Sequence, residues 1–345
     1  MFDFAVIVVS FILFLYISRS TASILFVSLS HIYYLFLMLG YFHTFKFGGE
    51  FSPFFPDELT YIQGETSLLF GKYVNFLFYT VGENYFRTTN LFLYNFAWVT
   101  VLNSKKRDYN LQDLLTIGIA CLGIYWCYFI LKESMSISGL ILMLFFGLKK
   151  STVGVLLSSV LVFVSRPDLL LFMLVLYYVH NWISTSKTRF VILLLSSISA
   201  LYVFFSSSLS YPMKLMFGSR RFGESNKVFD EALKSVSQGD AILYFFSNVY
   251  VETVVANVRR SFDILYEGIS LASPLILANF VVILLFLNRR RKKLEVKFHD
   301  FYYITIIVAL SLTHNVYRYV NVVSLAYIAA CYYDDYLKNR FRGKN

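Results

Sequence analysis

The sequence predicts an all-α fold, a polytopic transmembrane helix bundle. Three observations lead there. Apolar runs approaching the ~20 residues (range ~17–25) needed to cross a bilayer recur along the chain. Only 15% of residues are charged and 57% are hydrophobic, whereas a soluble domain carries about 25% charged residues. The basic residues gather in alternate gaps between the apolar runs, the pattern expected of cytoplasmic loops.

Taken in order, the runs predict about eleven spans. They lie near 2–18, 21–42, 88–102, 111–131, 135–148, 151–165, 168–185, 189–207, 269–288, 300–313 and 316–334. The first run has no basic leader and no small-residue cleavage site, so it reads as a span and not a signal peptide. Arg289-Arg290-Arg291-Lys292-Lys293 is the strongest basic cluster and marks an inner loop. Alternating from there puts Arg19, Lys105-Lys106-Arg107, Lys149/Lys150, Lys187/Arg189 and the C-terminal Lys338–Lys344 inside as well. The inner side then holds 18 basic and 6 acidic residues, and the outer side 13 and 15. The net charge of +10 is thereby accounted for by topology, and nucleic acid is not expected as a partner.

This topology leaves two longer segments outside, about 43–88 and about 208–268. In the first, Ser67–Val81 mixes apolar and polar residues and reads as a helix lying in the interface. A twelfth span there is the alternative, and it would flip the first two helices. The end of the second segment, Val249–Ile264, is interfacial by the same pattern. No internal repeat separates the chain, so residues 1–345 form one integral-membrane domain.

Three polar constellations fall on the outer face. The first is the carboxylate-rich loop Pro56-Asp57-Glu58, followed by Gln63 and Glu65. A carboxylate against a low-dielectric wall has a raised pKa, which suits it to take a proton from a hydroxyl. Acid pairs in external loops are often simply solvated. The second is Ser165-Arg166-Pro167-Asp168, squeezed between two apolar runs. An arginine there needs a partner: Asp168, a lipid headgroup, or a substrate phosphate that matches the guanidinium fork. The third is His314-Asn315-Val316-Tyr317-Arg318-Tyr319. His314 and Arg318 share a helix face at that spacing, and both suit a pyrophosphate. The plainer alternative has His314 closing a helix end and Arg318 snorkelling to headgroups. Arg220 and Arg221 add charge from the second outer segment.

Other chemistries find no support. Cys121, Cys127 and Cys331 lie within apolar runs and read as small core residues. His31, His43, His180 and His299 have no ligand spacing, and His180 and His299 fall on the inner side. No metal and no cofactor are expected. The 37 phenylalanines and 27 tyrosines read as packing, lipid-facing surface and interfacial belts.

Together these motifs resemble the GT-C class of polytopic glycosyltransferases, which use polyprenyl-linked sugars at the outer face. Pro56-Asp57-Glu58 with Gln63 and Glu65, Arg166-Pro167, and His314 with Arg318-Tyr319 look like the motifs of its mannosyltransferases. The sequence departs from that group in being short, and no large C-terminal soluble domain is expected from it. Its size, span number, Phe/Ile/Tyr-rich composition, outer arginines Arg166, Arg220 and Arg221, and His314-Asn315 are more similar to bacterial O-antigen and capsule repeat-unit polymerases of the Wzy type.

The resemblance implies a bacterial inner-membrane enzyme whose site faces the periplasm. Asp57 or Glu58 would be catalytic. Gln63, Glu65, Arg166, Asp168, Arg220, Arg221, His314 and Arg318 would bind substrate and phosphate. It also implies a polyprenyl-linked oligosaccharide or sugar as substrate, membrane lipids as partners, and a chain-length regulator protein as a further partner. Two alternatives stand beside this reading. One is a transferase adding a single sugar from a polyprenyl-monophosphate donor. The other, of a different class, is a lipid-linked oligosaccharide flippase.

Overall fold

The structure is a computed structural model that describes residues 2–45, 56–63, 69–81, 83–104, 111–129, 131–184, 273–291, 297–310 and 316–342. Every regular element among them is an α-helix, and no strand occurs among the described residues. They are α1 (Phe2–Ile17), α2 (Thr21–Phe45), α3 (Pro56–Gln63), α4 (Leu69–Val81), α5 (Glu83–Leu102), α6 (Leu111–Leu122), α7 (Tyr125–Tyr128), α8 (Glu133–Leu148), α9 (Thr152–Ser165), α10 (Pro167–Ser184), α11 (Ser273–Arg291), α12 (Phe298–Leu310) and α13 (Val316–Arg342). The span expected near 189–207 and the outer segment 208–268 lie outside the described residues. Thr21–Met38 is the one described helical window both long and apolar enough to cross a membrane. Five other apolar helices are shorter, at 10–17 residues.

Two expectations are refined. The run near 111–131 is not one continuous helix. It breaks after Leu122, turns at Gly123 and Ile124, and resumes as the single turn α7. The break has a packing cause. Tyr94 of α5 donates its hydroxyl to the carbonyl of Ala120 at 2.6 Å, capping the end of α6. A Cβ at Gly123 would lie 2.1 Å from that hydroxyl oxygen and 2.7 Å from Leu325 Cδ1, so any larger residue at the turn has to displace these two side chains. The second refinement concerns Asp57 and Glu58, expected in a loop. Their backbone is helical, in the first turn of α3. Pro56 opens that helix with φ already fixed near the helical value, and acids in a first turn complement the N-terminal dipole.

The core is built around α8 and α13. From Glu133 to Phe145 every residue of α8 is buried, and so is every residue of α13 from Val320 to Asp334. These two helices pack on each other, α8 also on α5 and α9, and α13 also on α11 and α12. Small residues permit the close crossing of α8 and α9, since a Cβ at Gly139 would fall 3.0 Å from the backbone nitrogen of Val162. Beside it, Ser136 donates to Ser165 Oγ at 3.0 Å. Close approach through Gly and Ser, with hydrogen bonds across the seam, is how helices associate when apolar burial alone cannot discriminate partners.

Candidate functional site

Arg166 is the C-cap of α9 and is 6% exposed. Its guanidinium forms an ion pair with Glu133 at 3.5 Å, Nη2 to Oε1, and lies 3.9 Å from the ring centroid of Tyr319. The pair therefore joins the C-terminal end of α9 to the N-terminal ends of α8 and α13. Asp168, the neighbour in sequence, belongs to the first turn of α10, and its side chain lies outside the described ones. The described ion-pair partner is Glu133. A buried arginine stacked on an aromatic face and paired with a carboxylate is a costly assembly that breaks badly when one member is removed.

A second buried arginine lies on α5 and is not among the residues the sequence singles out. Arg87, near the start of α5, is 3% exposed. It donates to the carbonyl of Tyr128 and lies over the Tyr128 ring at 4.9 Å. Asn90 Nδ2 reaches the next carbonyl, Phe129, at 3.3 Å. A four-residue helix leaves its C-terminal carbonyls without intrahelical partners, and α5 supplies donors for two of them. On the opposite side of α7, Trp126 Nε1 donates to Asn321 Oδ1 at 2.7 Å. Asn321 Nδ2 in turn donates to Asn279 Oδ1 at 3.1 Å. The broken helix is thus clamped by α5, α11 and α13.

The acid-bearing α3 is held by α4. Asn75 Nδ2 donates to the carbonyl of Ile62 at 2.7 Å, and Tyr61 meets Phe70 edge-on with ring centroids 5.0 Å apart. The α4 helix packs on α5 and α9, the two helices that carry Arg87 and Arg166. Gln63 ends α3 and is exposed. The side chains of Asp57, Glu58 and Arg318 lie outside the described ones, and Glu65, Arg220, Arg221 and His314 lie outside the described residues. The structure thus brings Arg166 against the residue next to Arg318, and ties α3 to α4.

A different charged cluster occupies the far end of α13. Asp334 lies fifteen residues beyond Tyr319, about 22 Å along the helix at ~1.5 Å per residue. Arg289 Nη1 donates to both carboxylate oxygens of Asp335 at 2.8 and 3.0 Å, Arg290 pairs with Asp300 at 3.0 Å, and Lys297 pairs with Asp334. His299, Asp300 and Cys331 have ligand atoms within 4.8 Å of one another. Asp300, however, already accepts from Tyr327 at 2.8 Å and from the Lys297 amide at 3.2 Å, besides Arg290. This end reads as an ionic lock joining α11, α12 and α13.

Comparison with protein-family models, curated proteins and solved structures returned no match.

Proposed function

We propose that this chain is an integral-membrane glycosyltransferase of about eleven spans, acting at the outer face of the bacterial inner membrane on polyprenyl-linked sugars. Within that class we propose a polysaccharide repeat-unit polymerase. The observation that carries the reading is the placement of charge. Buried Arg166 pairs with buried Glu133, buried Arg87 lies near the start of α5, and α4, which holds the acid-bearing α3, packs on the two helices that carry these arginines. Ionisable groups placed within an otherwise apolar bundle are expensive and mark functional sites by default.

The outward faces support the membrane part. On α9, Val153, Leu156, Leu157, Val160 and Phe163 are 49–69% exposed, one continuous apolar stripe at helical spacing. On α1, Val9, Ile12 and Tyr16 are 60–87% exposed. Soluble monomers rarely show apolar patches of that extent, whereas lipid covers them without cost.

In the proposed reaction Asp57 or Glu58 takes the proton of the acceptor hydroxyl. The acceptor oxygen forms a bond to the anomeric carbon as the bond from that carbon to the phosphate oxygen breaks. Positive charge from Arg166, His314 and Arg318 stabilises the departing polyprenyl phosphate or pyrophosphate, the electrostatic contribution that usually dominates such transfers. The test is purified protein reconstituted with a polyprenyl-pyrophosphate-linked oligosaccharide. The expected product is a ladder of longer glycans. Leaflet exchange of the substrate with no new glycosidic bond would overturn the enzyme reading in favour of a flippase.

A further inference from the structure

Remote from Arg166, a cavity of about 690 Å³ opens between α8, α9, α10 and α12. Its size falls within the roughly 300–1,000 Å³ typical of small-molecule sites. The walls are apolar and include Met143, Leu144, Val155, Met173 and Tyr177. Leu156 and Leu174 also line it and are 62% and 44% exposed, so the cavity continues onto the outward apolar faces of α9 and α10. One end is polar. Lys150, Lys297, His180 and His299 line it, together with Ser151 and Thr152 at the start of α9. No carboxylate is among the described lining residues.

Three further observations bear on that end. His299 is 2% exposed, and its Nε2 is buried with no hydrogen-bond partner among the described residues; the same holds for His180 Nδ1. A buried polar atom left unmatched is costly and points to a missing partner. Two helices of thirteen or more residues, α9 and α12, begin at the cavity, and helix N-termini favour negative charge. Lys150 has φ of 56°. It occupies the left-handed position that closes α8, with Lys150 N–H to Gly147 O at 3.0 Å and Ser151 N–H to Phe146 O at 2.9 Å. Glycine is the usual residue there. A lysine there carries a backbone cost, and its residue lines the cavity.

We propose that this cavity binds an anionic glycerophospholipid of the inner leaflet, with its phosphodiester at Lys150, His180 and His299 and one acyl chain along the apolar wall. The proposal rests on the membrane reading above but not on the glycosyltransferase one. The charge balance selects a monoanion. Lys150 and Lys297 are both cationic, and Lys297 is shared with Asp334, which leaves about one positive charge for the ligand. Asp300 is turned to Arg290, Tyr327 and the α12 amide. The apolar wall selects a lipid over a free phosphate.

The experiment is a binding and melting titration of the detergent-extracted full chain. The probes are phosphatidylglycerol, phosphatidylcholine and soluble glycerophosphate. Phosphatidylglycerol is expected to bind and raise the melting temperature, and the other two are not. Lys150→Gly relieves the strained turn, so the lipid-free protein is expected to melt at or above wild type while phosphatidylglycerol binds about fivefold more weakly, the effect of one basic residue near an anionic headgroup. His180→Gln is expected to weaken the same preference. Equal binding of phosphatidylcholine, or wild-type preference in both variants, would overturn the lipid site. Stabilisation by glycerophosphate alone would show a free phosphate site in its place. A chain recovered in the aqueous fraction without detergent would remove the membrane reading and this proposal together, whereas absent glycan synthesis with intact lipid preference would affect only the proposed reaction.

Discussion

The guanidinium carbon of Arg166 lies over the ring of Tyr319, 3.9 Å from its centroid, and so joins the middle of the chain to its last helix. Tyr319 follows Arg318 directly. One residue of the Arg166-Pro167 motif and one of the His314–Tyr319 motif are therefore in contact, with Glu133 completing the group at 3.5 Å.

That contact makes Glu133 a sensitive position. Glu133→Leu leaves Arg166 buried without its carboxylate, and breaking a buried pair costs about 3–5 kcal/mol. The double variant Glu133→Leu with Arg166→Met removes both charges and is expected to recover most of the stability while remaining inactive. Thermal unfolding of the four species in detergent gives the coupling. Additive losses would mean that the two side chains do not depend on each other.

Gly123 is the second sensitive position. Gly123→Ala places a methyl group where Tyr94 Oη and Leu325 Cδ1 already sit, and overpacking of this kind costs about 1–3 kcal/mol. The loss is expected to appear as a lower melting temperature. Tyr94→Phe in the same chain removes the oxygen nearest the new methyl and is expected to recover part of it. An alanine variant as stable as wild type would show that the turn between α6 and α7 has room.

The proposed topology is open to direct labelling. Cys121, Cys127 and Cys331 are all buried, so background reaction is expected to be low. Ser52→Cys is expected to react with an impermeant thiol reagent in intact spheroplasts, and Lys338→Cys only after lysis. The reverse pattern would place Asp57 and Glu58 in the cytoplasm, away from any lipid-linked donor at the outer face.

Much of the helix layout was legible in the sequence. The runs read at 2–18, 135–148 and 151–165 reappear as α1, α8 and α9 with ends shifted by no more than about two residues, the usual uncertainty of helix boundaries. Long apolar runs bounded by basic clusters leave little choice of element. The break at Gly123 was not legible, because its cause is the Tyr94 hydroxyl, a contact made across the bundle. The helical backbone at Asp57 and Glu58 did have a signal, since a proline followed by two acids is a helix start. Arg166 was found as an ionisable residue between apolar runs. Glu133 lies between the runs near 111–131 and 135–148, but its pairing with Arg166 is a contact across the bundle that the sequence does not carry. Arg87 was hidden among the polar residues that begin α5, and only its burial and its bond to Tyr128 reveal it.

The most direct test of the central claim is glycan synthesis by Asp57→Asn, Glu58→Gln and the double variant, reconstituted with lipid-linked substrate. The amides keep the shape of each side chain and remove its ability to accept a proton. A general base contributes about 10²–10⁴-fold in rate. At least one single variant is therefore expected to lose polymer synthesis by about a hundredfold or more, with a melting temperature near wild type. Wild-type rates in both single variants and in the double variant would contradict a catalytic role for these acids.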